Sequence, residues 1–163
     1  MKNFLFLLFI QFCLISRAQT DSIPVLNTLK YVDVGIGSGL PDGEIALNAG
    51  LNLDINDLFA LFVEYNMYLK EGEILYHETG MKAGPYYQFR WNSYIALSAG
   101  FSIMFTTSGN VEHFYNIPIQ LRYNLGITKL LSLGIKGTYN AVLTEDYSDR
   151  GSVVLFIGIK FRN

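Results

Sequence analysis

Residues 44–55 decide the fold class, and they read Glu-Ile-Ala-Leu-Asn-Ala-Gly-Leu-Asn-Leu-Asp-Ile. Every odd position from Ile45 to Ile55 is apolar, whereas the even positions include Glu44 and Asp54. A period of two residues places successive side chains on opposite faces of a β-strand. This segment therefore predicts a strand with one apolar face and one polar face.

The same alternation recurs on both sides of this segment and gives eight predicted strands. No stretch after Ala18 carries apolar residues at helical spacing over a comparable length, so the rest of the chain is predicted to be all-β. The architecture that fits is an eight-stranded antiparallel up-and-down transmembrane β-barrel. The predicted strands span 30–40, 44–55, 59–70, 80–90, 94–106, 115–125, 131–140 and 152–161.

The connections between these strands fall into two classes of length. Those after the second, fourth and sixth strands are tight, and those after the third, fifth and seventh, at 71–79, 107–113 and 143–150, are longer. In an up-and-down barrel the two classes lie at opposite ends. Short periplasmic turns with longer extracellular loops are typical of outer-membrane barrels.

The N-terminal segment has the features of an export signal. Lys2 precedes an apolar run at 4–15, and Ala18 supplies a small residue before a cleavage point. At ~1.5 Å per residue this run spans about 18 Å, short of the ~30 Å hydrocarbon core that a transmembrane helix must cross. We therefore predict a cleaved signal peptide at 1–18, a short lead-in at 19–29 and a barrel at 30–163, located in the cell outer membrane.

Composition excludes several classes of protein. Half of the residues are hydrophobic and 16% are charged, which is unlike a disordered chain. The 12 Lys and Arg against 14 Asp and Glu leave no basic excess for binding a nucleic acid. The single cysteine, Cys13, lies within the predicted signal, so the mature chain uses neither disulfides nor thiol chemistry.

Alternation by itself fits two kinds of barrel. One spans a membrane with its apolar face outside, and the other is secreted, soluble and lipocalin-like, with its apolar face around a small ligand. Strand length favours the first, because about eleven residues at ~3.3 Å each, tilted ~45°, climb about 25 Å, the height of the apolar band. Seven strand glycines also share the polar face, where a narrow interior needs small residues; they are Gly35, Gly37, Gly50, Gly84, Gly100, Gly134 and Gly158. The soluble alternative predicts Leu51, Val63 and Ile135 inside a cavity.

The membrane barrel assigns roles to two sets of side chains. Polar-face charges would form a salt-bridged interior plug, because buried charges need partners; this set is Asp33, Glu44, Glu64, Lys82, Arg122, Lys136 and Lys160. We expect Asp33 beside Lys160, and Glu64 beside Lys82 or Lys136. Apolar-face aromatics would form two girdles, with Phe59, Phe89, Tyr123 and Phe161 at the short-turn end and Phe105, Tyr115 and Tyr139 at the long-loop end.

Two prolines interrupt the predicted strands. Pro85 and Pro118 have no N–H to donate to a neighbouring strand, and a closed barrel has no edge at which to place them. Each therefore predicts a bulge or a local break in the hydrogen-bond ladder.

The predicted extracellular loops are acidic and hold Asp42, Glu71, Glu73, Glu78, Glu112, Glu145, Asp146 and Asp149 against Arg150. Carboxylates suit hard divalent cations, which makes cation binding at the lipid headgroups one interpretation. The segment 145–149 lacks the spacing and turn glycine of a calcium loop. A solvated acidic rim is the interpretation that we prefer.

Catalysis at the rim would need a nucleophile and a base, as in a lipid A-modifying enzyme. The candidates are His113, Ser108 and a nearby acid such as Glu112. No catalytic motif surrounds these residues or His77. We therefore predict a non-enzymatic barrel with no catalytic residue, cofactor or metal site.

Several segments carry a resemblance to a known family: the export signal ending Ala18-Gln19, Gly84-Pro85-Tyr86-Tyr87, residues 115–123 and the closing Gly158-Ile159-Lys160-Phe161. With these the chain resembles the outer membrane protein beta-barrel domain family of Gram-negative bacteria, the small eight-stranded PorT-like and OmpX-like group. The resemblance covers the mature chain and implies insertion by the barrel assembly machinery, with Phe161 as the aromatic of the insertion signal. Our own prediction is that outer-membrane lipid, lipopolysaccharide and envelope proteins are the partners, and that the barrel acts in envelope structure, surface contact or docking within a secretion assembly.

Overall fold

The computed structural model describes residues 27–56, 58–90, 93–107, 113–144 and 148–161, with backbone alone at 27–30 and 90. The predicted signal peptide and most of the predicted lead-in lie outside these residues. The first strand begins at Asn27, three residues before the predicted start at Lys30. No helix among the described residues is long and apolar enough to cross a membrane.

Eight strands form a single closed antiparallel barrel in which each strand pairs with its neighbours in sequence. The barrel closes between β1 and β8, where Asp33 lies opposite Gly158. The predicted all-β, eight-stranded antiparallel barrel is confirmed. The strands are β1 (Asn27–Leu40), β2 (Ile45–Asp54), β3 (Phe59–Lys70), β4 (Glu73–Arg90), β5 (Ser93–Thr106), β6 (His113–Gly126), β7 (Leu131–Val142) and β8 (Arg150–Lys160).

The connection after β3 differs from the predicted long loop at 71–79. It is a two-residue turn in which Glu71 and Gly72 have φ values of 54° and 87°, the left-handed backbone that matches the twist of a tight hairpin. The strand β4 therefore starts at Glu73. The longer connections at this end of the barrel, which we name the long-loop end, are 107–112 and 143–149.

The opposite, short-turn end is built from local hydrogen bonds. The side chain of Asn56 accepts from the N–H groups of Leu58 and Phe59, both at 2.8 Å. Thr128 does the same for Leu130 and Leu131 at 3.2 and 2.9 Å. These polar side chains satisfy backbone donors that a tight reversal leaves unpaired.

Both strand prolines produce local breaks in the ladder. Between β4 and β5 the pairing passes from Ala83–Ala99 to Tyr86–Ala96, which omits Pro85 without a change of register. Between β5 and β6 it passes from Ala99–Ile119 to Ser102–Asn116, which omits Pro118. The expected break is confirmed at both positions, and neither proline forms a bulge.

Exposure separates the two faces of the sheet. Buried and exposed residues alternate along nearly the whole of β2 and β6. Leu51 and Ile135 are 41% and 43% exposed on the outer face, and Val63 faces the same side as Leu51, its partner on β2. The arrangement is therefore the reverse of the soluble alternative, which placed these three side chains in an internal cavity.

Candidate functional site in the barrel interior

Five charged side chains form a cluster at mid-height inside the barrel. Glu64 lies 2.5 Å from Lys82 Nζ, 2.7 Å from Lys136 Nζ and 3.6 Å from Arg122. Asp33 lies 2.6 Å from Arg122 and 3.2 Å from Lys136. Each of these side chains is at most 3% exposed. We name these five residues the central cluster.

Arg122 joins the central cluster to polar and aromatic neighbours. One of its terminal N–H groups donates to Asn52 at 3.0 Å, and Asn52 in turn donates to Asp33 at 2.7 Å. The guanidinium carbon lies 4.1 Å from the ring centroid of Phe156 and 5.4 Å from that of Phe62. Aromatic faces stabilise a guanidinium by cation–π attraction, which strengthens when water is excluded.

A chain of amide side chains links the central cluster to a sixth buried charge, Glu78. Lys136 donates to Asn48 at 2.6 Å, Asn48 donates to Asn66 at 2.6 Å, and Asn66 donates to Glu78 at 3.0 Å. Tyr68 and Ser102 also donate to this carboxylate, at 3.0 and 2.7 Å. The central cluster holds three cations and two carboxylates and therefore has one surplus positive charge. The chain of amide hydrogen bonds connects this surplus to the negative charge of Glu78.

The long-loop mouth of the barrel is crossed by Arg150. Its guanidinium donates to Glu44 at 3.1 Å and to the hydroxyl of Tyr76 at 3.0 Å, and it lies 3.8 Å from Asp42. The guanidinium carbon is also 4.3 Å from the ring centroid of Tyr76. Because the Arg150 side chain keeps 21% of its surface exposed, water reaches this group more readily than it reaches the central cluster.

The short-turn end of the interior is aromatic. Tyr94 lies 5.8 Å from Tyr31 and 6.0 Å from Tyr86 between ring centroids. These rings pack with Phe62, and the Tyr86 hydroxyl donates to Asp54 at 3.2 Å. Together they border a small recess at this end.

These contacts connect strands on opposite walls of the barrel. Tyr31 and Tyr94 join β1 to β5, Arg122 and Asn52 join β2 to β6, Glu64 and Lys136 join β3 to β7, and Tyr76 and Arg150 join β4 to β8. An eight-stranded barrel is just wide enough for side chains to fill it. The lumen is therefore crossed by side chains at the mouth, at mid-height and at the short-turn end.

This geometry matches known structures. The N-terminal β-barrel domain of Pseudomonas aeruginosa OprF superimposes with a TM-score of 0.64 at 13% identity, covering 82% of this chain and 98% of that chain. The outer membrane enzyme PagL gives 0.65 at 16% identity, covering 80% and 99%. Ail, the attachment invasion locus protein of Yersinia pestis, gives 0.57 at 11%, covering 82% and 100%. The chain has the fold of small outer-membrane barrels.

The sequence comparisons gave no family. No protein-family model matches the chain, and no curated protein matches it. The likeness to the solved structures therefore concerns the fold, and the PorT-like and OmpX-like resemblance stays a prediction.

The structure brings six of the seven predicted plug residues into two groups. Asp33, Glu64, Lys82, Arg122 and Lys136 form the central cluster, and Glu44 lies at the mouth with Arg150. Lys160 differs, because Asp33 lies opposite Gly158 and Lys160 lies opposite Tyr31 near the short-turn end. Asp33 contacts Arg122 and Lys136, and its pairing with Lys160 stays a prediction, whereas Glu64 contacts both of its expected partners.

Two interior residues, Glu78 and Arg150, were assigned to acidic loops by the sequence. Glu78 is 2% exposed and belongs to β4, so its assignment to a loop is wrong. Its position could have been found by extending the alternation backward from Lys82 through Gly80. Arg150 begins β8, and its contact with Tyr76 on the opposite wall had no signal in the sequence.

The aromatic residues assigned to the girdles occupy the two ends of the outer surface. Phe89 and Tyr123 stack at the short-turn end with ring centroids 6.0 Å apart; Phe59 begins β3 and Phe161 follows β8 at the same end. Phe105, Tyr115 and Tyr139 lie on strands near the long-loop end. Their role at a membrane interface stays a prediction.

Asp149, in the acidic connection after β7, is held by two hydrogen bonds. The Tyr139 hydroxyl and the Val142 N–H donate to its two oxygens. These bonds, the first above all, lower the pKa of Asp149. Glu112, Glu145 and Asp146 lie outside the described residues.

Of the candidate catalytic residues His113, Ser108 and Glu112, the described part of the chain includes His113. His113 is exposed and lies opposite Phe105 on the outer face, and Ser108 falls outside the described residues. Within the described ranges, no group of three or more His, Cys, Asp or Glu side chains has the arrangement of a metal site.

Proposed function

We propose that this chain is an outer-membrane barrel whose interior is a structural plug and whose loops make contacts at the cell surface. The observation that carries the proposal is the division of the sheet into an apolar outer face and an ionic inner face. In the described strands, the outward positions between the two rims carry no Asp, Glu, Lys or Arg. In water such a surface would expose far more contiguous apolar area than a soluble monomer does.

Energetics support a closed rather than a conducting interior. Side chains from opposite walls meet at the mouth, at mid-height and at the short-turn end, and the central cluster is buried. Opening a continuous aqueous path would require separation of several buried ion pairs, and breaking one such pair costs about 3–5 kcal/mol. We therefore propose a non-conducting, non-enzymatic barrel in envelope structure, surface contact or docking with envelope proteins, inserted by the barrel assembly machinery.

Cell fractionation tests the location. Cells that express the full chain should yield a protein in the detergent-insoluble outer-membrane fraction, with a gel mobility that shifts on heating because the closed barrel resists detergent until it is boiled. Protease added to intact cells should cut the connection after β7 and leave the strands intact. Recovery of the protein in the soluble fraction would contradict the proposal.

Planar-bilayer recordings test the plug. The purified barrel should give no steady ion conductance, whereas a variant with Glu64, Lys82 and Lys136 all replaced by Ala should give measurable conductance if it folds, as judged by the heat shift. Steady conductance from the unmodified barrel would contradict a closed interior.

A further inference from the structure

The two histidines of the chain lie together on the outer surface near the long-loop end. His77 on β4 and His113 on β6 are both opposite Phe105 on β5, one on each side of it. Neighbouring strands are about 4.8 Å apart, so the two backbones are about 10 Å apart across this face. The sequence had assigned His77 to a loop, and the register of the barrel makes the two residues neighbours.

An aromatic patch holds His77 in place. Its ring stacks on Phe105 with centroids 5.2 Å apart and lies 5.8 Å from the ring of Tyr65. The Tyr65 hydroxyl is hydrogen-bonded to Nδ1 of His77. This bond occupies Nδ1 of His77, so Nε2 is the ring nitrogen that would donate to a ligand. His77 thus presents an N–H donor on the side of its ring away from Tyr65.

The residues around His77 indicate which part of a lipid its N–H group would contact. The adjacent strand positions on this face are Met67, Ile103 and Tyr115, and Phe101 stacks on Tyr115 with centroids 5.8 Å apart. This surface suits acyl chains, while the rim residues Lys70, Glu71 and Glu73 lie above it at the β3–β4 turn. A donor between apolar rings and a charged rim is at the height of lipid headgroups in a membrane barrel.

We propose that His77 and His113 bind the phosphate of a lipid headgroup at the outer surface of the barrel. Among the outward side chains of the described strands between the rims, these two imidazoles are the ones that can carry positive charge. Imidazole N–H groups form charge-assisted hydrogen bonds with phosphate oxygens, which are stronger than bonds to neutral acceptors. The site rests on the proposed membrane location, and it adds a specific lipid chemistry to it.

Histidine-selective ¹⁵N labelling tests the site, because the chain gives two imidazole spectra. The barrel is placed in phosphatidylcholine nanodiscs, and phosphatidic acid is added in increasing mole fraction; His113→Asn assigns the signals. We expect the ring nitrogens of both histidines to shift and to saturate. Half-saturation should require about fivefold less phosphatidic acid than oleate at equal charge, since the phosphate has an additional oxygen for the second imidazole and one hydrogen bond of about 1 kcal/mol corresponds to about a fivefold change in affinity.

Matched controls separate the site from general surface charge. Tyr65→Phe keeps the aromatic ring and removes the hydroxyl that orients His77, so it should raise the half-saturating fraction about threefold or more. Equal responses to phosphatidic acid and oleate would overturn the phosphate site. An equal response to inorganic phosphate at the same concentration would overturn its assignment to a lipid. Failure to enter the nanodiscs would overturn the membrane proposal and the lipid site together, whereas the other two outcomes leave the membrane proposal standing.

Discussion

The inner and outer faces of this barrel come from the same strands but differ in their side chains, which are mostly polar or charged on the inner face and mostly apolar on the outer face. On β7, Lys136 points inward and is buried among Asp33 and Glu64, while its neighbour Ile135 points outward and is 43% exposed. A charge on the inner face is stabilised because it meets opposite charges from the far wall. A charge on the outer face would have no such partner, since the outward positions between the rims of the described strands carry no Asp, Glu, Lys or Arg.

The two faces also differ in how their side chains depend on one another. Outward side chains such as Leu131 and Ile135 contribute to the free energy of unfolding mainly through contact with the lipid or solvent around the barrel. Within the central cluster the charges form a network in which Asp33 contacts two cations and Glu64 contacts three. Substitutions should therefore be strongly coupled on the inner face and nearly independent on the outer one.

The largest effect is expected from Glu64→Gln. This change keeps the shape of the side chain and removes the charge that faces Lys82, Lys136 and Arg122. Cations left without their partner in a dry interior cost about 3–5 kcal/mol. The free energy of unfolding, measured by urea titration of the refolded barrel in liposomes, should fall by that amount.

Glu73→Gln is the matched control, because Glu73 begins β4 and is exposed. Its effect should lie within about 0.5 kcal/mol of zero. Similar losses for the two variants would mean that water reaches the central cluster, and the contrast between the faces would then disappear.

A charge introduced on the outer face should have the next largest effect, and its size should depend on height. Leu131 and Ile135 are both 43% exposed, but Leu131 begins β7 and Ile135 lies nearer the middle of the barrel. A lysine costs about 2–4 kcal/mol at the bilayer midplane and about 0–1 near an interface. Ile135→Lys should therefore destabilise the barrel in liposomes far more than Leu131→Lys does. Equal tolerance of both changes would show that this face meets water.

Glycine replacements contrast the space available on the two faces. A β-carbon at the inward Gly100 would lie 1.8 Å from the carbonyl oxygen of Met81, whereas one at the outward Gly137 would have no atom within 4 Å. Gly100→Ala forces the backbone apart and should cost about 1–3 kcal/mol. Gly137→Ala should stay within about 0.5 kcal/mol of the unmodified barrel. Thermal unfolding in the same liposomes measures both, and a neutral Gly100→Ala would mean that β4 and β5 separate easily.

The alternation of apolar and polar residues, which we call parity, was enough to predict the strands and the face of nearly every strand residue. The bounds predicted for β3 agree with the structure at both ends, because its alternation continues without interruption from one turn to the next. The start of β4 was missed for two local reasons. Glu71-Gly72 is not one of the common hairpin dipeptides, and the register shift after Tyr68 interrupts the alternation near Leu75.

The partners of the inner charges needed information that parity does not contain. Parity states that Asp33 points inward, but the height of each residue depends on the stagger between strands. The partners of Asp33 come from β6 and β7, at residues 122 and 136. The pairing with Lys160 was expected because β1 and β8 are adjacent, but the register between them places Lys160 opposite Tyr31 and Gly158 opposite Asp33. Long side chains meet across the lumen.

The smallest effect is expected from Arg150→Gln, and its salt dependence would refine the comparison. Arg150 crosses the mouth to Tyr76 and to the buried carboxylate of Glu44 with 21% of its own side chain exposed. Because water reaches Arg150 and can replace part of its contact, this ion pair should contribute about 1 kcal/mol, less than a pair in the central cluster. At 1 M salt, mobile ions screen the attraction between exposed charges over a Debye length of about 3 Å, whereas buried ion pairs are screened much less. Between 0.05 and 1 M potassium chloride the Debye length falls from above 10 Å to about 3 Å. The loss in free energy of unfolding caused by Arg150→Gln should therefore become smaller, whereas the loss caused by Glu64→Gln should stay the same. If the loss in free energy of unfolding caused by Arg150→Gln did not depend on salt, water and ions would reach the mouth no more readily than the centre. The interior would then be closed to water from the rim inward.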